Sequence, residues 1–448
     1  MQLTRPLPAA GRPSAFAGPR SGLAAEFDAV RHRTRQLAEP LSAEDCQVQS
    51  MPDASPVKWH LAHVTWFFET LVLERFEPGF RPFHPAYRVL FNSYYNAVGA
   101  KHPRPQRGQI TRPSLAEVLA WRAQVDERMG ALLAGKVTPE MASLVLLGLQ
   151  HEQQHQELLL TDVKHLLSCN PLHPVYRATW PLAAVAPAPA SWLPYPGGEV
   201  AIGHAGDGFA FDNELPQHAQ LLAPYALGNR LVTHGEWADF MADGGYRDPR
   251  WWLAAGWDWR CAQAVEAPLY WQRSGDGASG DDWHSFTLHG LVPIDRHTPI
   301  THVSYYEADA FARWKSAADP AFAGARLPTE AEWEAAVAPQ AAALAACGNF
   351  VESGALHPMP VARSDGGLVQ ALGDVWEWTA SSYSPYPGYR PWGGAVGEYN
   401  GKFMVNQTVL RGGSCATPVS HIRASYRNFF PTDARWQFSG VRLARDLA

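Results

Sequence analysis

The run Ser143-Leu-Val-Leu-Leu-Gly-Leu-Gln-His151-Glu-Gln-Gln-His155-Gln-Glu157-Leu-Leu-Leu-Thr-Asp162 decides how the first half of this chain is built. Met141, Leu144, Gly148, His151, His155, Leu158 and Asp162 follow one another at alternating steps of three and four. That is the seam of a helix packed in a bundle. His151 and His155 therefore project one turn apart into a bundle interior. Two imidazoles at i and i+4 can share one metal ion, and bundle cores commonly hold such sites. The competing reading is a pair of core histidines satisfied by hydrogen bonds. Glu157, two residues further on, is placed to support or extend the site. The same letters fit the H-E-x-x-H pattern of zinc peptidases, with Glu152 as the base that activates a zinc-bound water. Such an enzyme also needs a third ligand downstream. Gln156 to Ser168 holds neither the second histidine motif nor the Gly turn, and His165 and His173 stand at other spacings.

Outward from this stretch, the first half reads as helices. Thr138-Pro139-Glu140 opens the helix that carries both histidines, and Ser114-Leu-Ala-Glu117 is a capping box for one running to about Leu133. Ser55-Pro56 reads as an N-cap followed by Pro at the first helical position, opening a helix to about Phe76. Leu23, Phe27, Val30 and Leu37 mark an amphipathic helix that ends near Pro40. Four helices with one long connection, Pro78 to Pro113, describe a four-helix bundle. Trp59, His63, Trp66, Thr70 and Leu73 repeat the three-four spacing, so His63 reaches the same interior; His60, three residues earlier, is the second choice. Three imidazoles leave coordination positions open, and spacing does not choose between iron and zinc. The long connection holds Phe91-Asn-Ser-Tyr94-Tyr95-Asn96, where a bundle would carry a functional lid, although paired tyrosines more often serve packing. Arg88, six residues before Tyr94, could bind a carboxylate or phosphate, or make a surface salt bridge.

At 448 residues the chain suffices for two or three domains with substantial cores. A net charge of -6 and the lack of any Lys/Arg-rich run argue against nucleic acid or an anionic membrane as partner. No apolar run approaches the length of a membrane span. Residues 1–21 read as a flexible leader, because they are rich in Pro, Gly and Ala without a continuous apolar segment. Cys46, Cys169, Cys261, Cys347 and Cys415 are odd in number and never form a C-x-x-C pair, which points to reduced thiols in a cytosolic protein.

The bundle is expected over 22–170, and a Pro/Ala-rich linker over 171–198. Beyond it the texture changes. Fifteen of the eighteen tryptophans lie from Trp180 onward, among many glycines and short β-like runs such as Glu199 to Ile202 and Val409 to Arg411. Tyr306 to Ser316 and Glu330 to Val337 are the clear helices of this part. Residues 199–448 thus read as a loop-rich α+β domain under heavy aromatic packing, and the whole as an α+β multidomain chain.

Particular stretches then resemble known families. Gly208-Phe-Ala-Phe-Asp-Asn-Glu-Leu-Pro216, Val232-Thr-His-Gly-Glu236, His302-Val-Ser-Tyr-Tyr-Glu307, Arg326-Leu-Pro-Thr-Glu-Ala-Glu-Trp333, Gly373-Asp-Val-Trp-Glu-Trp378 and Arg411-Gly-Gly-Ser414 resemble the formylglycine-generating-enzyme fold, a C-type-lectin-like domain. The first half resembles a DinB-like bundle, with its H-x-x-x-H-x-E signature at His151, His155 and Glu157. Together they resemble the ergothioneine sulfoxide synthases and their ovothiol and selenoneine relatives, over nearly everything after the leader. The resemblance implies a mononuclear non-haem Fe(II) held by His63 (in Trp59-His-Leu-Ala-His63), His151 and His155, with O2 as co-substrate. It implies hercynine, trimethylated histidine, as substrate, with Gln154 reaching the imidazole and Asn428 and Phe429 holding the rest. Tyr94 and Tyr95 become the proton-donor candidates. Relatives that use γ-glutamylcysteine carry an acid two residues after that Asn and an Arg four residues further; here these positions are Phe430 and Ala434. Cysteine or a selenosugar is then the expected donor, with the selenosugar preferred because Phe430 can lie on a sugar ring. Arg88, Asp53 and Arg435 remain for its polar groups. The competing classes are a zinc-dependent hydrolase using Glu152, a non-catalytic lectin-like binding module, and a formylglycine-type copper oxidase, for which the scattered cysteines offer no pair.

Overall fold

The computed structural model describes residues 20–178, 185, 189–273, 283–361 and 366–447. Residues 1–19 of the expected leader lie outside these, and Arg20 already opens the first helix. The first half contains α1 (Arg20–Ala38), α2 (Ala43–Gln47), α3 (Val57–Phe67), α4 (Glu74–Phe76), α5 (Tyr87–Leu90), α6 (Leu115–Ala134) and α7 (Pro139–Ser168). α1, α3, α6 and α7 are the four expected bundle helices; α1 and α3 each pack on both α6 and α7. Local sequence sets their starts. Ser114 and Glu117 cap one another's backbone N–H groups at α6, and the Thr138 hydroxyl accepts from Met141 N–H ahead of Pro139 at α7.

α3 departs from expectation at both ends. Pro56 rather than Ser55 is its N-cap, and the Ser55 N–H donates instead to Asp162 on α7 at 2.8 Å. Past Phe67 the chain widens into a π-helical segment, Phe68–Leu73. Here Gly148 of α7 lets the two helices meet closely: a Cβ on it would stand 2.7 Å from the Phe68 ring and 2.9 Å from that of Phe67. The bundle core also holds a charge network. Glu152 of α7 is fully buried and accepts from Arg31 at 2.8 Å, from Thr34 at 2.6 Å and from Arg122, which ties α1 and α6 to α7.

The second half has strands β1 (Trp192–Tyr195), β2 (Gly198–Ile202), β3 (His218–Leu222), β4 (Tyr225–Gly228), β5 (Trp271–Arg273), β6 (Trp283–Thr287), β7 (Gly290–Pro293), β8 (Trp376–Ser382), β9 (Thr408–Arg411), β10 (Asn428–Phe430), β11 (Ser439–Gly440) and β12 (Ala444–Asp446). They form small sheets in the orders β1-β4-β12, β2-β3, β5-β6-β7 and β10-β9-β8-β11. β1 falls inside the stretch expected to be linker and pairs antiparallel with β4, Trp192 opposite Gly228. Helices α8 (His234–Ala242), α9 (Ala254–Ala262), α10 (Tyr305–Ala318), α11 (Glu330–Val337) and α12 (Ala341–Cys347) are more than the two expected. Buried Trp237, Trp333, Trp376 and Trp378 fill the interior, and buried ion pairs of Arg442 with Glu377 and Arg411 with Glu330 brace the loops. No helix among the described residues is long and apolar enough to cross a membrane.

The two halves meet along α7. Glu157 accepts from Trp376 Nε1 at 2.8 Å, Ser414 Oγ at 2.5 Å and Thr417 Oγ1 at 2.6 Å. Gln153 donates to Ser420 at 2.6 Å, and Gln150 bonds to His421 at 2.7 Å. One helix thus faces the bundle on one side and the second half on the other.

Candidate metal centre and substrate cavity

His63 from α3 and His151 and His155 from α7 are buried, and their ligand nitrogens lie within 4.8 Å of one another. His63 Nδ1 is 2.6 Å from the Phe91 carbonyl oxygen. A carbonyl only accepts, so Nδ1 carries the hydrogen and the lone pair is on Nε2, 3.1 Å from His151 Nε2. Trp59 and Trp66 stack on the His63 ring at 4.5 and 5.6 Å, each 14° from parallel. Burial pushes the His151 imidazolium down to about 3. Burial, with the neighbouring imidazoles adding to it, pushes His63 and His155 well below their ordinary value. All three are neutral, which is the state that binds metal. His151 Nδ1 is buried without a hydrogen-bond partner. Converging neutral imidazoles fit a divalent first-row ion such as iron or zinc and leave coordination positions open for substrate.

His155 opens this cluster onto a cavity of about 240 Å³. Trp59, His60, Gln154, Glu157 and Asp162 line it from the bundle, Tyr94, Arg104 and Arg107 from the long connection, and Phe211, Tyr399, Tyr426 and Asn428 from the second half. Gln154 is held at both ends of its amide: Nε2 donates to Tyr426 Oη at 2.6 Å, and Oε1 accepts from Tyr399 Oη. The Tyr399 ring lies 5.8 Å from that of His151. Burial pushes the Tyr399 phenol well above its ordinary range, so it stays protonated. The Arg107 guanidinium lies 3.4 Å over Trp59 and donates to Ser55 Oγ at 2.9 Å and Ser93 Oγ at 2.8 Å. Its Nε has no partner, and burial pushes its pKa down to about 9. No carboxylate pairs with it among the described residues; its hydrogen-bond partners are hydroxyls and its face lies on Trp59.

Residues 26–159 match the DinB superfamily, and residues 184–447 match the sulfatase-modifying factor enzyme 1-like domain. A hercynine oxygenase of Mycolicibacterium thermoresistibile is 35% identical, aligned over 96% of this chain and 95% of that one. A hercynine oxygenase of Mycobacterium tuberculosis is 33% identical over 95% of this chain and 99% of that one. This chain belongs to the hercynine oxygenase family. Ergothioneine biosynthesis protein 1 of Schizosaccharomyces pombe is 26% identical over 53% of this chain and 28% of that one. As a member of the hercynine oxygenase family the chain is an oxidative enzyme, and its DinB-like bundle and formylglycine-generating-enzyme-type domain are the two that the resemblance implied.

Several expected site residues of this family member come together. Asp53, Tyr94, Gln154, Asn428, Phe429 and Phe430 all line the cavity. Others do not. Arg88 lies at the surface, where it pairs with Glu74. Arg435 lines no part of the cavity; it donates to the Ala267 carbonyl at 3.0 Å and stands 3.4 Å from Glu307. Tyr95 is buried against Trp66 and Phe67 and likewise lines no part of it. Glu152, the base of the zinc-peptidase reading, points away from the histidines into its cluster of Arg31, Arg122 and Thr34. Arg107 and Tyr399 were missed. The pair Arg104 and Arg107, in the same connection as Tyr94, was a signal for the first; Tyr399 lies 245 residues from Gln154 and carries no local signal.

Proposed function

We propose that this chain is an Fe(II)- and O2-dependent synthase that bonds C2 of the hercynine imidazole to the sulfur or selenium of a small donor. The product would be a precursor of ergothioneine or selenoneine. The observation that carries this reading is the convergence of three buried imidazoles beside a cavity walled by both halves, in a member of this family. Iron held by His63, His151 and His155 would supply the O2 activation and oxidation that side chains cannot perform.

The chain's own residues bind and orient. Gln154, fixed between Tyr399 and Tyr426, keeps one N–H and one lone pair for the hercynine imidazole. Phe403 and Phe429 put aromatic rings in the cavity wall for the quaternary ammonium, beside Asn428. Tyr399, packed against a triad histidine and sharing its hydroxyl hydrogen with Gln154 Oε1, is the proton donor we assign, with Tyr94 as a second hydroxyl in the same cavity. Phe430 lies against Trp436 as an apolar wall where γ-glutamylcysteine users carry an acid, and Arg107 is the cation left for a thiolate, selenolate or carboxylate. Such a site fits cysteine or a selenosugar, and the apolar wall favours the sugar.

The test is kcat/KM for γ-glutamylcysteine, cysteine and a selenosugar with hercynine, Fe(II) and O2. A missing charge-assisted contact of about 1.5–3 kcal/mol should put γ-glutamylcysteine roughly one to two decades lower. γ-Glutamylcysteine as the best donor would overturn the donor assignment, and no hercynine conjugate from any donor would overturn the synthase.

A further inference from the structure

The three histidines are alike in type but are not held alike. His63 gives its Nδ1 hydrogen to the Phe91 carbonyl at 2.6 Å, and His151 Nδ1 has no partner. His155 is tied to a carboxylate through a second imidazole. Its Nδ1 lies 2.9 Å from His60 Nδ1, and His60 Nε2 lies 2.9 Å from Asp162 Oδ2. The same oxygen accepts the Ser55 N–H at 2.8 Å, which the unexpected start of α3 leaves free. All these residues are buried.

The donors and acceptors allow one ordering of hydrogens with Asp162 ionised and both imidazoles neutral. A carboxylate only accepts, so His60 carries its hydrogen on Nε2. His60 Nδ1 is then a lone pair and must accept, so His155 carries its hydrogen on Nδ1. The lone pair of His155 is thereby left on Nε2. We propose that His60 and Asp162 form a positioning relay that fixes the tautomer and ring plane of His155 for metal binding. The proposal rests on reading the triad as a metal centre. It also explains the seam: Asp162 sits two turns beyond His155 on α7, and His60 sits one turn before His63 on α3, so both supports face the helix pair that carries the ligands. Asp162 acting through His60 orients the His155 ring and raises its basicity as a ligand, as outer partners of this kind do.

The test uses the full-length protein without substrate. Nitrogen-15 imidazole spectra of the metal-free protein report the tautomer of His155, and titration with Co(II), followed by chelator-driven release, reports affinity and release rate. The expected wild-type tautomer carries hydrogen on Nδ1. His60→Phe should lose that preference and weaken Co(II) binding by about 10- to 100-fold. Asp162→Asn keeps the volume and one acceptor oxygen, so it should weaken binding less, in the same direction. Melting temperature separates these effects from a general loss of structure; if His60→Phe does not fold, Asp162→Asn and the wild-type tautomer decide. Wild-type Co(II) affinity and release rate in both folded variants, or hydrogen on Nε2 of His155, would overturn the relay. Equal Co(II) binding by wild type and His63→Ala would instead overturn the triad as the metal centre, while the tautomer spectrum would still judge the hydrogen-bond order.

Discussion

Replacing Glu152 by Gln removes a buried carboxylate that Arg31, Arg122 and Thr34 hold from two other helices. Burial alone would raise its pKa, but Arg122 and Arg31, with the Thr34 hydrogen bond, outweigh that and hold it at about 2 against an ordinary 4.5. At 1.36 kcal/mol per pH unit, that difference corresponds to about 3 kcal/mol of stability. Breaking a buried ion pair from one side costs about 3–5 kcal/mol, in agreement. Arg31 would keep Asp126 at 2.6 Å, whereas Arg122 would keep the Arg31 carbonyl at 3.0 Å, so the loss belongs at the lower end. For a unit of this size about 3 kcal/mol lowers Tm by roughly 6–12 °C. Because the folded pKa is depressed, the contribution is fully present above the unfolded value and is lost as pH falls through about 2. Thermal melts by circular dichroism at pH 7 and pH 3 should therefore show a gap between wild type and Glu152→Gln that narrows in acid. At 20 °C the variant should retain metal and turnover. A variant as stable as wild type would refute the network's role; one that is folded and metal-loaded but inactive would restore Glu152 as a catalytic base.

Three further outcomes follow from the geometry. Tyr399→Phe should slow bond formation by about 10²- to 10⁴-fold and divert turnover to simple donor oxidation, read by mass spectrometry, while Tyr94→Phe should cost less. Gly148→Ala places a methyl 2.7 Å from the Phe68 ring and should destabilise the bundle by about 1–3 kcal/mol, seen in urea titrations. Arg107→Met should raise the KM of an anionic donor at least tenfold, with a smaller change in kcat, and an unchanged KM would remove Arg107 from the donor site.

Much of the bundle was legible because its signals are local. The three-four seam of α7, the Ser114–Glu117 box and the Thr138-Pro139 start each depend on neighbours within a few residues, and each appears where those residues put it. The same seam brought His63, His151 and His155 together. The π segment after Phe67 was not legible, because it accompanies the approach of α3 to Gly148, far away in sequence. β1 was hidden in a Pro- and Ala-rich stretch, since its pairing with β4 is tertiary. The placement of Arg88 was not legible for a similar reason: Arg88 and Arg107 both flank the paired tyrosines, and only the fold shows that Arg88 pairs with Glu74 at the surface while Arg107 lines the cavity. Tyr399 reaches Gln154 from the opposite half of the chain, which no helical or strand period could announce.

If His63, His151 and His155 hold the iron at which hercynine is oxidised and joined to its donor, losing one of them removes both metal and turnover. The deciding experiment sets wild type beside His155→Ala, each prepared anaerobically with Fe(II). Bound iron is counted first, and hercynine consumption is followed after air is admitted. This ligand set gives one iron per wild-type chain and O2-dependent formation of a C2-linked conjugate, with both lost in His155→Ala. Full iron and full turnover in that variant, or wild-type turnover that needs neither iron nor O2, would contradict it.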